Sequence, residues 1–345
     1  MENSISCQGL EQDDSAYEKF LLTHPNSTFE QTAAYARILK KTYGYEVQRV
    51  AIRNGPEIIG YFSYAFKERF HKKNASVISL PHTSTAGYIG DRRNSGLVDN
   101  AILDYLKANS IIRGELRQSL NQAGKRGDVI RILDLSIPRN LLFDSFKPAI
   151  RKKIRKAEKL SAIEVHTGDY LSEWYSLYAK NLKSMGTPPH PISFWKAYLE
   201  EGEGCAKLIA YVINETVIAG GIITFTKNQT ELVMSASNEF AKSNQVNMLL
   251  YWRTIEAAYE FGSRKVSFGR SSYGSSGDEY KAQWGAEPFQ LEYRKFDVSS
   301  RTVTNEYQSS AKQGLWVYAA KLMGFVPVGT FMTEKCIPKL RFLIP

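Results

Sequence analysis

Cysteine is scarce in this chain, with three among 345 residues. Cys7, Cys205 and Cys336 stand far apart without Cys-x-x-Cys spacing. That excludes a disulfide framework or a zinc knuckle and suits a reducing compartment. Histidine is also sparse: His24, His71, His82, His166 and His190 show no metal-ligand spacing, so no metal site is expected. No P-loop, G-x-S-x-G or H-E-x-x-H occurs, which removes the commonest nucleotide, serine-hydrolase and zinc-hydrolase chemistries. Long apolar runs are absent as well. The most apolar stretch, Leu208–Phe225, is broken by Asn214 and Glu215 and reads as a hairpin rather than a membrane span. Met1-Glu2-Asn3-Ser4 lacks the basic and apolar regions of a signal peptide, so the expected location is the cytoplasm.

What is present is core material and positive charge. Hydrophobic residues make up 43% and aromatics 12%, enough for two hydrophobic cores at this length. The formal charge of +10 points to an anionic partner: tRNA, a pyrophosphate-bearing substrate or an acidic membrane surface.

The most informative stretch is Phe268–Pro288. Lys265-Val266-Ser267-Phe268 reads as a strand, followed by a Gly/Ser loop whose glycines let backbone N–H groups approach a ligand. Ser275 or Ser276 can cap a short helix with Asp278 and Glu279 in its first turn and a stop at Gly285. Tyr280 and Trp284 share one face of it, and Lys281 is a cation delivered beside the loop. On spacing alone, the same pattern also describes an ordinary helix pinned by two aromatics.

This segment resembles the closing motif of the Fem-type peptidyl transferases (FemABX), above all the FemAB-like proteins of exopolysaccharide systems. There an F-G-R-S-like strand end precedes a glycine-rich loop and an F-K-x-x-W-G-like helix. Here the helix reads Tyr280-Lys281-Ala282-Gln283-Trp284-Gly285, with Tyr in place of the leading Phe. Weaker likeness runs from about Phe29 to about Tyr293. The resemblance implies an α/β protein of two tandem GNAT-like domains with mixed, mainly antiparallel sheets. It also implies transfer of an aminoacyl or acyl group to an amine.

Along the chain, Tyr45–Ile52, Asn54-Gly55 and Glu57–Phe66 form a hairpin signal, and Leu208–Ile213, Asn214-Glu215 and Val217–Phe225 repeat it. Arg93–Val98 is close to the R-x-x-G-x-[GA] turn of GNAT enzymes, but Val98 replaces the small residue that admits phosphate, so it reads as a relic. Pro138–Pro148 is the expected boundary, dividing the chain into 1–148, 149–298 and a tail, 299–345. The tail is expected to be helical over Ala311–Met323. By family likeness it returns to the first domain; the alternative is a membrane contact at the inner face, through Lys312, Lys321, Lys335, Lys339 and Arg341. Arg151–Lys159 is the densest cationic run, offset only by Glu158, and forms either a solvated helix or a polyanion site. It resembles the I-R-K-A stretch of the relatives, and Gly186–Pro191 resembles their G-T-P-P-H loop.

An ester of tRNA or a thioester of CoA is already activated, so transfer to an amine needs positioning and oxyanion stabilisation rather than a nucleophilic side chain. Lys281 is the expected catalytic residue, facing a cleft. Arg270, Tyr273, Gly274, Tyr280, Thr187, His190, Arg155 and Lys156 form the expected substrate-binding set. Asp91, Glu279 and His190 are the candidate bases. No tightly bound cofactor is expected; the resemblance implies aminoacyl-tRNA as donor, with acyl-CoA the alternative. The acceptor is an amine of a cell-envelope or exopolysaccharide precursor. A catalytically silent module holding a phosphorylated glycolipid is the competing reading.

Overall fold

The computed structural model describes residues 5–11, 15–66, 75–90, 95–123, 127–166 and 168–307, with backbone alone at 119–123, 306 and 307. They form two compact units, one running to Ile130 and resuming at Pro288, the other Arg131–Glu287.

In the first unit β1 (Ile5–Gly9) and α1 (Ser15–Thr23) precede α2 (Ala33–Tyr43), β2 (Glu46–Asn54) and β3 (Glu57–Phe66). The last two strands pair through a two-residue turn, Asn54 facing Glu57, with Gly55 at φ +58° as a tight hairpin requires. β4 (Ala75–Ile78) and β5 (Tyr88–Gly90) both pair with β3. A parallel pair needs a crossover connection, and α3 (Ser95–Ala108) supplies it between β4 and β6 (Ile111–Ala123). Val98, Ile102 and Leu106 turn one face of α3 into a core with Val50, Phe62 and Leu116.

The second unit takes most of β7 (Asp128–Asp134), then α4 (Arg139–Ser145), α5 (Pro148–Glu158) and β8 (Ile163–Val165). Next come α6 (Leu171–Ser184), α7 (Ile192–Glu201), β9 (Ala206–Ile213), β10 (Thr216–Phe225) and β11 (Gln229–Ser237). α8 (Glu239–Ser243), α9 (Val246–Phe261), β12 (Lys265–Ser272) and α10 (Ser276–Ala282) complete it. Its strands lie in the order β7-β12-β11-β10-β9-β8. The β9–β10 hairpin turns at Asn214 and Glu215, both at positive φ, where the sequence places it. The largely buried α9 then crosses over to make β12 parallel to β11. Hairpin followed by parallel pair is the plan of both units, which agrees with the duplication read from the two hairpins.

The expected boundary is corrected. Pro138–Pro148 is not a linker: Leu142 and Phe146 are buried in the second core, and the prolines flank helix starts, Pro148 inside the first turn of α5. The second correction concerns β13 (Glu287–Asp297), which from Pro288 onward belongs to the first unit. It pairs antiparallel with β6 and puts Phe296 into the first core. β14 (Thr302–Tyr307) pairs with β13. The expected tail helix and its cations lie outside the described residues. Among the described residues no helix is long and apolar enough to cross a membrane.

Candidate functional site

The site grows from a parting of two strands in the second unit. β11 and β12 pair only at Gln229–Glu231 against Lys265–Ser267, yet β11 runs on to Ser237 and β12 to Ser272. On its other side β11 pairs with β10 through a bulge: Ile222 faces Met234 and Ile223 faces Leu232, leaving Val233 unpaired. A bulge bends its strand and interrupts the ladder, as the divergence from β12 requires. Gly269, the first β12 residue after buried Phe268, has φ +70°, a backbone state that favours glycine.

Ser275 caps α10, its hydroxyl accepting the Asp278 N–H at 3.3 Å. The helix is held by aromatics, as its spacing implies. Trp284 is fully buried, stacked on Tyr251 at 5.8 Å and edge-on to Phe146 at 5.4 Å; Tyr280 meets Tyr251 edge-on at 5.1 Å. This anchoring aims Lys281 back at β12. Its Nζ donates to the carbonyls of Gly269 at 3.1 Å and Arg270 at 2.7 Å. An ammonium has three N–H donors, so one is without a hydrogen-bond partner among the described residues. The side chain is half-buried. Burial lowers its pKa to about 8, against the opposing pull of the Glu231 and Asp278 carboxylates.

The glycine loop is clamped from below. Asp278, 1% exposed, receives Arg131 Nε and Nη2 at 2.7 Å each, the Gly274 N–H at 3.0 Å and the Ser271 hydroxyl at 3.3 Å. Arg131 Nη1 donates to the Ala286 carbonyl at 3.0 Å, closing the far end of the helix. Burial works to raise the Asp278 pKa, but Arg131 and the Gly274 N–H outweigh it and hold the carboxyl below its ordinary range. Sequence reasoning placed Asp278 in the first turn of the helix and missed Arg131 altogether. No local signal marks Arg131, whose partner stands 147 positions away.

The other expected residues scatter in role. Tyr273 is 38% exposed on the loop, with the Arg131 guanidinium 5.8 Å from its ring, and Gly274 has φ +76°. Glu279 is exposed on α10. His190 is 6% exposed, stacked on Phe194 at 4.2 Å with its backbone N–H donating to the Tyr178 hydroxyl at 3.0 Å. So enclosed, the imidazole presents little surface to an incoming amine. Thr187 N–H caps the end of α6 on the Leu182 carbonyl at 2.9 Å. Arg155 lies over the Phe143 ring at 5.7 Å and Lys156 donates to the Ser243 carbonyl at 3.1 Å, both on the exposed face of α5. Asp91 and the start of the Arg93–Val98 turn lie outside the described residues. Beside Ser95 and Val98, which follow, the cavity is about 10 Å³, room for one water. Arg294 pairs with Asp99 there, at the start of α3. Among the described residues no group of three or more His, Cys, Asp or Glu gathers as a metal set.

Residues 144–282 match the family described as Acetyltransferase (GNAT) domain. No curated protein matches the sequence. Among solved structures the chain is similar to FemX, at 15% identity and TM-score 0.65, covering 82% of this chain and 95% of that one. It is also similar to a tandem GNAT protein from the clavulanic acid biosynthesis pathway, at 12% identity and TM-score 0.52, covering 85% and 98%. A conserved protein of unknown function from Bacteroides thetaiotaomicron is similar at 10% identity and TM-score 0.53, covering 83% and 98%. The chain is thus built as two tandem GNAT-like domains, and the FemAB-like resemblance read in its closing motif holds at the level of structure.

Proposed function

We propose that this protein transfers an aminoacyl or acyl group onto an amine of a cell-envelope or exopolysaccharide precursor, with Lys281 stabilising the oxyanion. In such a transfer the amine attacks the ester or thioester carbonyl, a C–N bond forms, the alcohol or thiol leaves and the amine gives up a proton. Negative charge gathers on the carbonyl oxygen, and a pre-positioned cation in a partly dry site lowers that barrier. The observation that carries the reading is the Lys281 ammonium itself. It is locked onto two backbone carbonyls beside the opening between β11 and β12, with one N–H unpartnered among the described residues and a pKa about 8. At neutral pH such a group is mostly charged while poorly solvated, the state in which it interacts most strongly with a developing anion.

Aminoacyl-tRNA is the donor implied by the FemAB-like resemblance of the closing motif, and acyl-CoA is the alternative; the tandem GNAT relative is described as being without AcCoA. Both donors are polyanions, and the exposed cations Lys152, Lys153, Arg155, Lys156 and Lys159 suit either. The test incubates purified protein with charged tRNA or acyl-CoA and a simple amine. Transfer that requires Lys281 supports the reading. Phosphorylated-glycolipid binding without transfer to any amine would leave the silent module in its place.

A further inference from the structure

Where α5 packs against α9, beside β8 and β9, the second unit holds a half-open cavity of about 210 Å³. That is space for a small organic molecule rather than for one water, whose share is about 30 Å³. None of its lining residues belongs to the Lys281 site. Leu160, Ala162 and Leu249 give it an apolar wall, and Glu158, Glu164, Tyr211 and Arg253 give it a polar one.

The polar wall has a definite preference. Arg253 meets a carboxylate at each nitrogen: Glu164 at 3.2 Å, Glu158 at 3.4 Å and Glu256 at 2.5 Å. Three negative charges around one guanidinium disfavour an anion here. Arg139 reaches Glu256 at 3.5 Å, so three carboxylates face two guanidiniums, and His166 meets the other Glu164 oxygen at 2.7 Å. Within a chain of formal charge +10, this pocket is locally acidic. Acceptors remain open. Glu158 gives only one oxygen to Arg253. Tyr211 is 1% exposed, and its hydroxyl, directed at the Glu164 carboxylate, accepts no hydrogen bond among the described residues. A buried acceptor left unfilled is costly, and a bound donor removes that cost.

We propose that this cavity binds a small organic ammonium ion, its N–H groups taken by Tyr211 Oη and the Glu158 and Glu164 carboxylates, its alkyl body against Leu160, Ala162 and Leu249. The apolar wall selects against a bare inorganic cation, and the carboxylates select against a neutral alcohol of the same shape.

The test is titration of the full chain with n-butylammonium, followed calorimetrically at low salt, with n-butanol as the matched neutral probe. Saturable one-site binding of the ammonium is expected, with the alcohol at least about tenfold weaker. Tyr211→Phe and Glu158→Gln should each weaken binding about tenfold, the effect of one hydrogen bond to a charged group, while Lys281→Ala leaves it unchanged. Glu158 is on the surface of α5, so its variant serves even if Tyr211→Phe fails to fold. Non-saturable uptake, equal binding of the alcohol, or unchanged affinity in Glu158→Gln overturns the proposal. None of these outcomes bears on acyl transfer at Lys281.

Discussion

At the scale of single residues, Lys281 and the Arg131–Asp278 pair divide chemistry from architecture. If Lys281 relieves oxyanion charge, Lys281→Ala should lower kcat roughly 10²–10³-fold, about 3–4 kcal/mol, with the melting temperature little changed. Lys281→Arg keeps the charge but alters its shape and reach, so partial rescue is expected. The pH dependence has two signs that separate the roles. Folded Lys281 has a pKa of about 8 against 10.5 for the free side chain. Between those values the unfolded chain holds more protons, so this group makes stability rise with pH across that window. Activity should do the reverse, with kcat falling as pH passes about 8 and the ammonium is lost. A pH–rate profile with no falling limb near 8 would count against the charged form as the working one. Arg131 belongs to the architecture. Breaking a buried, bidentate pair strands a carboxylate, so Arg131→Ala should cost about 3–5 kcal/mol in denaturant unfolding. A loss below about 1 kcal/mol would mean that water replaces the guanidinium.

At the scale of elements, α5 is the informative one. Ile150, Ile154 and Ala157 bury one stripe, and the cations occupy the remainder. Lys156 is partly committed to the Ser243 carbonyl and Arg151 to Asp144 at 3.5 Å, which leaves the others to solvent or to a polyanion. Reversing Arg155 and Lys156 to Glu should weaken tRNA binding and flatten its dependence on salt, because fewer phosphates are neutralised. Unchanged affinity at low salt would make α5 a solvated helix whose only work is packing on α9. α10 shows the converse. It has only seven residues, too few to stand alone. Its place rests on Trp284 and Tyr280 against Tyr251, and on Arg131 at both of its ends.

At the scale of the whole molecule, the two units are not consecutive pieces of chain. The first unit regains its β13 strand only after Arg131–Glu287 of the second has intervened. A chain ending at Glu287 would strip β6 of that neighbour and remove Phe296 from a core that also holds Leu106 and Leu116. We expect that shortened chain to lose protection from hydrogen exchange in β6 and α3 while α9 stays protected. Equal protection in α3 and α9 would show that β13 is dispensable to the first core.

Local pattern by itself determined the elements and the plan. The hairpin turns at Gly55-Pro56, one residue on from the Asn54-Gly55 expected, and at Asn214-Glu215, the aromatics that anchor α10, the helical cationic run and its stripe of Ile150 and Ile154 are all set by residues a few positions apart. The tandem GNAT likeness was legible in one motif of that kind. Tertiary structure alone decided what depends on distant partners. It put Arg131 under the glycine loop, returned β13 to the first unit, enclosed His190 among aromatics and turned Lys281 onto the carbonyls of Gly269 and Arg270. The reason is physical: periodicity and capping act within a turn or two of chain, whereas burial, pairing and charge compensation depend on which surfaces meet once the chain has closed on itself.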